Sequence, residues 1–473
     1  MKSLSATKKL LALLLCLAML LCCSFSLADQ ETADTAETEE ASSDVPVMQT
    51  AYEAILYEES TDTILFALEP DKHNAPASMT KVMTAILVLE YNPELTGSTV
   101  VSEDAVSPTY CSWMDTDHLY AGEEVTIIDL LKYLLIPSGN EAATTLAEYV
   151  AGDIPTFIDM MNEKAAELGM TETHYEDPHG LSSDSYISVR DMLTLCRYAM
   201  TFKPFRNIVH MNGGSLPASN KREYKMTYWT SNRFLDPDGN SAYVTDYSKD
   251  IIGIKTGTTP AAGYNLSSCM VKDDLTFYTV VMHCSDIMGD DYSMTDGRYI
   301  DTIALFDYAR LFEKQGYAAG DTVCEKALWG SLLGSAIPLT ASEDMYLLGR
   351  EGEALNPTIE LSIEGSSVKA GDVVGRVVIT DEFGNTHETE LIAGADASKS
   401  YVLPIVGVVV IIAIVVAIVL AANASKKRKA AAAAAGETAE TTETTETAET
   451  NETTETTETA EAEKTENSES NEQ

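Results

Sequence analysis

Ala75-Pro76-Ala77-Ser78-Met79-Thr80-Lys81-Val82-Met83-Thr84-Ala85 is followed by Ile86, Leu87, Val88 and Leu89 before the first charge at Glu90. Apolar side chains at 82, 83, 86, 87 and 89 cover almost the whole circumference of a helix over Ser78–Tyr91. Such a helix belongs inside a domain and not on its surface. Its entrance carries a hydroxyl and an amine three residues apart, hence on one face about one turn from each other. An amine sent into an apolar interior is costly unless it has work to do there.

The flanking sequence supplies the layers around this helix. Ala54–Tyr57 and Thr63–Phe66 are two β-like stretches around Ser60-Thr61-Asp62 and read as a β-hairpin. Thr126–Ile136 is a second apolar helix, stopped by Pro137. After Ser138-Gly139-Asn140 a third begins at Glu141–Val150, and Pro155–Leu168 is amphipathic up to Gly169. The period then changes to two at Ile251–Ile254, Tyr264–Val271 and Thr276–Cys284, and Tyr299–Phe312 is helical again. Strands at both ends with helices between them predict an α+β domain with a mostly antiparallel sheet. Past about Gly320, Thr358–Ile363, Val373–Ile379 and His387–Ile392 are short strands between turn residues, a small all-β module.

Ser78 alone is a weak nucleophile and needs a base within reach. Lys81 can be that base if burial and a second nearby cation lower its pKa. The Ser-x-x-Lys spacing by itself says little, since it recurs at Ser5/Lys8 and Ser366/Lys369. Its company is informative: Ser138-Gly139-Asn140 lies in an interhelical loop, and Lys255-Thr256-Gly257 ends a strand-like run and occurs once. These three motifs in this order are the signature of penicillin-binding proteins and class A β-lactamases.

On these motifs the chain resembles the low-molecular-mass penicillin-binding proteins, serine-type D-alanyl-D-alanine carboxypeptidases of the penicillin-binding-protein-5 type. Asp177-Pro178-His179-Gly180-Leu181 and Ala262-Gly263-Tyr264-Asn265-Leu266 add to the likeness, which extends over about residues 50–312. The resemblance implies a β-lactamase/transpeptidase-like fold: an antiparallel sheet with flanking helices and a helical subdomain, followed by a small all-β domain. It also implies roles. Ser78 attacks the D-Ala-D-Ala carbonyl and becomes an acyl-ester, Lys81 takes its proton, and Ser138 relays a proton to the leaving amine. Asn140 holds the substrate backbone; Lys255 and Thr256 meet the terminal carboxylate, with Gly257 in the same strand; Arg298 helps to hold that carboxylate. The backbone N–H groups of Ser78 and Thr258 form an oxyanion hole. The implied partners are the peptidoglycan stem peptide and β-lactams, with no cofactor. His179 reads as a structural histidine, and Arg233 is given no part.

Met1–Ala28 reads as a secretory signal, with Lys2, Lys8 and Lys9 ahead of an apolar stretch and Ser26-Leu27-Ala28 at the cut. An acidic linker (29–45), a catalytic domain (46–320) and the all-β domain (321–395) follow. Val402–Ala422 is 21 residues without a charge, long enough to cross a bilayer. Lys426-Lys427-Arg428-Lys429 behind it places the C-terminal end in the cytoplasm and residues 29–401 outside. A sortase-type sorting signal at Leu403-Pro404-Ile405-Val406-Gly407 is disfavoured by Val406 and by the long tail. Residues 430–473 hold thirteen Glu and one Lys in a Thr/Ala background, which cannot build a core and predicts a disordered, solvated tail. The whole chain carries 74 acidic and 31 basic side chains, net −43, which excludes a nucleic-acid partner. Cys111, Cys196, Cys269, Cys284 and Cys324 are odd in number and scattered, as free thiols are, and no metal-ligand pattern occurs among the seven His. The rivals are a β-lactamase of the same fold, a D,D-endopeptidase, and an inactive wall-binding protein. The first lacks a Glu-x-x-Leu-Asn-like segment after the second motif; the last is at odds with an intact Ser78, Lys81 and Lys255.

Overall fold

The structure, a computed structural model, describes residues 45–107, 118–236, 241–289, 293–329, 336–354, 356–399 and 401–436. The expected signal, nearly all of the acidic linker, Cys111 and the tail beyond 436 lie outside the described residues.

Five antiparallel strands form the main sheet: β1 (Glu53–Glu58), β2 (Thr63–Leu68), β3 (Ile251–Thr259), β4 (Gly263–Lys272) and β5 (Leu275–Cys284), in the order β2-β1-β5-β4-β3. Alternation along each strand divides its side chains between two faces. Ile55, Tyr57, Val280 and Met282 join the core with the helices, while Ala54, Leu56, Phe277 and Val281 join a second core with Tyr299, Leu305 and Phe306. The first core holds α1 (Lys81–Tyr91), α2 (Ile127–Leu135), α3 (Asn140–Ala151), α4 (Ile154–Glu167), α5 (Val189–Thr201) and α6 (Lys203–Val209). The second is covered by α7 (Gly297–Ala309), whose Asp301 accepts from the backbone N–H groups of Gln49, Thr50 and Ala51 at 2.6–2.9 Å. β1 is buried along its whole length, yet begins and ends in Glu. Both carboxylates are used: Glu53 lies 2.7 Å from Lys72 Nζ, and Glu58 accepts from Ser60 N (2.9 Å) and Thr61 N (2.8 Å), closing the hairpin.

The predicted helices at 126–136, 141–150, 155–168 and 299–312 and all five strands of this sheet are present. Three features differ. Ala77–Thr80 is a 3₁₀ turn, and the α-helix proper starts at Lys81. β3 runs on past the Lys-Thr-Gly triplet, which the sequence puts at the end of the strand, to Thr259; the triplet pairs with Asn265–Ser267 of β4. α5 and α6 were not expected; α5 is capped by Ser188, whose side chain accepts from Asp191 N.

A second sheet follows the catalytic motifs. The strands are β6 (Phe312–Tyr317), β7 (Thr322–Lys326), β8 (Ile337–Ala341), β9 (Met345–Arg350), β10 (Thr358–Leu361), β11 (Val373–Thr380) and β12 (Thr386–Ala393). β7-β8-β12-β11-β10 form one antiparallel sheet, and β6 pairs with β9. Phe383 packs against Phe312 with the rings tilted by 50°, and Asn385 Nδ2 donates to Thr63 Oγ1 at 3.1 Å. The sequence showed the three strands at β10–β12; β7, β8 and β9 are additional. Helix α8 runs over Val402–Gly436, and Ile405–Ala431 within it is long and apolar enough to cross a membrane. Cys196, Cys269, Cys284 and Cys324 are free thiols. The hairpin does not bring Cys269 to Cys284, since their cross-strand partners are Tyr278 and Tyr264.

Candidate active site

The turn that carries Ser78 is strained and tightly enclosed. Ala77 sits at φ +49°, a left-handed conformation that costs a non-glycine residue about 1–3 kcal/mol. The surroundings impose it. Asn265 Nδ2 donates to the carbonyls of Ala75 (3.0 Å) and Pro76 (3.3 Å), while its Oδ1 accepts from His283 N (2.9 Å). Two glycines let other segments close on the turn. A Cβ on Gly257 would stand 2.8 Å from Pro76 O, and one on Gly180, itself at φ +90°, would stand 1.8 Å from Ala77 O.

Lys81, the first residue of α1, is fully buried. Its Nζ lies 2.8 Å from Ser78 Oγ, 2.7 Å from Asn140 Oδ1 and 2.7 Å from the His179 carbonyl. A neutral amine has two protons and one lone pair. Asn140 Oδ1 and His179 O can only accept, so they take both protons and leave the lone pair facing the Ser78 hydroxyl. Burial lowers the Lys81 pKa to about 7; the charges of Asp177 and Glu141 work against that fall. The amine is therefore available as a base near neutrality.

Asp177 fixes the loop that supplies the His179 carbonyl. It accepts from His179 N (2.8 Å), Gly180 N and Ser182 N (2.5 Å), and its carboxylate lies 3.0 Å from His179 Nδ1. Burial raises its pKa, but the His179 bond and charge and the Gly180 and Ser182 amides outweigh that and hold it well below the usual carboxylate range. His179 is thus structural through its ring and part of the site through its backbone.

Ser138 and Asn140 come from the α2–α3 connection. Gly139 N donates to Tyr133 O (2.9 Å), and Ser138 is held at φ +75°. The Ser138 hydroxyl is buried and makes no hydrogen bond within the protein. A buried hydroxyl without a partner is costly, and here it stands two residues from Asn140, the direct partner of Lys81.

β3 forms the opposite wall. Lys255 is buried and its Nζ donates to Thr256 O at 2.9 Å. Burial, then the charges of Lys81 and Arg298, push its pKa well down. Thr256 Oγ1 is 2.6 Å from Ser231 Oγ. Arg298 faces the end of this strand: Nη1 donates to Thr258 Oγ1 (3.0 Å), Gly257 O (3.2 Å) and Asn265 O (3.3 Å). Its Nε and Nη2 are engaged by Asp296 at 2.7–3.0 Å. Arg298 is thus paired within the protein and braces β3 and β4.

The three motifs therefore meet. Ser78, Lys81 and Asn140 are joined by direct contacts, Ser138 adjoins them, and Gly257 packs on the nucleophile turn. Asn265, Asp177 and the His179 carbonyl complete the site. Their segments were visible as family-like stretches, but nothing in the sequence told which atom of each would be used. A cavity of about 600 Å³ over β10–β12, between Glu360, Arg376 and Glu388, contains no comparable pair of nucleophile and base. Geometry, and not cavity size, identifies the site.

Residues 37–286 match the family described as D-alanyl-D-alanine carboxypeptidase. The chain is 25% identical over 358 residues to the D-alanyl-D-alanine carboxypeptidase DacF of Bacillus subtilis, covering 74% of this chain and 86% of that protein. It is 30% identical over 235 residues to DacC of Escherichia coli, covering 48% and 55% respectively. Two solved structures share the fold. DacD from Francisella tularensis gives a TM-score of 0.56 at 22% identity, over 78% of this chain and 100% of that one. Penicillin binding protein 5 from Haemophilus influenzae gives 0.52 at 24% identity, over 75% and 99%.

Proposed function

The chain belongs to the D-alanyl-D-alanine carboxypeptidase family, and on that premise we propose how its residues divide the work of a serine-type D,D-carboxypeptidase. Ser78 Oγ attacks the carbonyl carbon of the terminal D-Ala-D-Ala bond while Lys81 Nζ accepts its proton. The backbone N–H groups of Ser78 and Thr258 receive the oxyanion, which needs fixed donors as its charge develops. The tetrahedral adduct collapses, the C–N bond breaks, and the proton taken by Lys81 is relayed through the Ser138 hydroxyl to the departing D-Ala amine. Asn140 holds the peptide backbone, and the extended substrate lies along the outer edge of β3, pairing as an added strand. Its terminal carboxylate meets Thr256 and Lys255. An anion there favours the charged form of Lys255, reversing the effect of burial. Water then hydrolyses the acyl-ester and regenerates Ser78. A β-lactam follows the same path, with its leaving nitrogen still tethered to the acyl group.

Arg298 acts on the carboxylate subsite through Thr258 and Gly257, as its pairing with Asp296 favours. We assign residues 46–320 to catalysis and 321–395 to a small all-β domain outside the membrane. One helix at 402–422 anchors both, and the Glu-rich tail at 430–473 lies in the cytoplasm beyond Lys426–Lys429. The substrate is the peptidoglycan stem peptide.

The observation that carries this reading is the set of contacts of Lys81, which leaves one lone pair and points it at Ser78. The full-length protein in detergent should release D-Ala from a peptide ending in D-Ala-D-Ala and be labelled covalently by a fluorescent penicillin, and Ser78→Ala should abolish both. Release of D-Ala by that variant at the wild-type rate would refute the assignment.

A further inference from the structure

Ser231 lies in none of the three motifs, yet it is tied to the segments that carry two of them and to the helix that carries Arg298. Its N–H donates to Ile136 O (3.1 Å), two residues before Ser138. Its carbonyl accepts from Tyr299 OH (3.3 Å), next to Arg298. Its side chain is 2.6 Å from Thr256 Oγ1. Tyr299 OH in turn accepts from Arg233 N (3.0 Å), so the backbone on both sides of Asn232 is held.

The direction of the Ser231–Thr256 bond follows from proton counting. A hydroxyl has one proton to give. A carboxylate is an acceptor only, so Thr256 can bind one only if its own proton points into the cleft. It then cannot donate to Ser231, and at 2.6 Å Ser231 must be the donor. Hydrogen bonds in series polarise one another, so a hydroxyl that accepts from a neighbour becomes a better donor. The main-chain anchors hold the Ser231 backbone in place, and the two hydroxyl oxygens already stand at hydrogen-bond distance before substrate arrives.

We propose that Ser231 is a positioning residue for substrate recognition: it donates to Thr256 and thereby aims the Thr256 hydroxyl at the terminal carboxylate of the peptide. This rests on the reading above that Thr256 meets that carboxylate. It adds a determinant of selectivity for a free C-terminus, acting through Thr256 and not on the scissile bond.

The test compares full-length wild type, Ser231→Ala and Ser231→Thr in detergent on two peptides. One ends in D-Ala-D-Ala with a free carboxylate; the other is its C-terminal amide, followed by release of D-alaninamide. Ser231 is exposed, and its main-chain bonds do not depend on its side chain, so the variants should melt with wild type. Losing one neutral hydrogen bond predicts a five- to tenfold rise, on the order of that net effect, in KM for the free acid. kcat should stay within about twofold, the amide should be turned over as by wild type, and Ser231→Thr should restore KM. An equal loss on both peptides, an unchanged KM for the acid, or a Ser231→Thr as impaired as Ser231→Ala would overturn the proposal. Failure of the underlying function has a different signature: wild type would then release nothing from either peptide.

Discussion

Asn140→Asp tests the site most directly, because it changes one atom of the Lys81 shell without changing its shape. Asn140 Oδ1 is 2.7 Å from Lys81 Nζ. At an effective dielectric of about 20, a unit negative charge at that distance attracts the ammonium by about 6 kcal/mol. Desolvation of the new carboxylate offsets much of this, and an opposite charge at such range typically moves a pKa by about one to three units. If Lys81 is the base, its ammonium must titrate to the active amine as pH rises, so the wild-type acylation rate should climb with pH and be half-maximal near 7. In the variant the charged form is favoured, and the half-point moves up to about 8–10. At pH 7 the variant then runs about ten- to a thousandfold below its own alkaline plateau. The assay is the second-order rate of labelling by a fluorescent penicillin between pH 6 and 10. The position of the limb is the readout, since the plateau also reflects the donor that Asn140 loses. A variant that still acylates with its half-point near 7 would refute Lys81 as the base, and a wild-type half-point near 10 would refute the lowering of its pKa by burial.

Two further outcomes follow from packing. Gly180→Ala places a Cβ 1.8 Å from Ala77 O at a φ of +90°; it should cost about 2–4 kcal/mol in thermal or urea unfolding and depress acylation as the nucleophile turn shifts. Arg298→Gln leaves the buried Asp296 carboxylate without its cation and should cost about 3–5 kcal/mol. Adding Asp296→Asn should recover at least half of that loss, and a double variant no more stable than the single one would show that the pair does not brace β3.

Most of the main sheet could be read from the sequence because its strands are short runs rich in apolar, β-branched and aromatic residues, bounded by turns such as Lys272-Asp273-Asp274. The buried helix was legible for the opposite reason, since it is apolar all round and its one amine stands out. α5 was harder. Arg190, Asp191, Thr194 and Arg197 are scattered along it, and its start is marked only by the Ser188 cap. The strand was legible up to Lys255-Thr256-Gly257 and not beyond, because the apolar run itself ends before the triplet. What keeps that run a strand is pairing with β4, a contact distant in sequence. β7, β8 and β9 are short and half-buried, and periodicity over five residues carries little signal.

The site itself divides along the same line. Side chains that do chemistry were legible by type and spacing, whereas atoms that act through the backbone were not. The His179 carbonyl is the clearest case: its ring attracts attention, yet its C=O holds the Lys81 amine. The strain is distributed in the same way. Ala77 and Ser138 both adopt left-handed conformations that their side chains disfavour, one just before the nucleophile and the other in the loop that ends at Asn140. Each costs about 1–3 kcal/mol, and Lys81 adds the desolvation of an amine. These costs are sustained because α1 continues from Lys81 into the core through Val82, Met83 and Ile86, all fully buried. Three apolar side chains of that size contribute about 1.5–3 kcal/mol each, which is comparable to the strain at its entrance. The apolar run that first marked this helix is therefore also what allows a strained turn and a buried lysine to persist at its start.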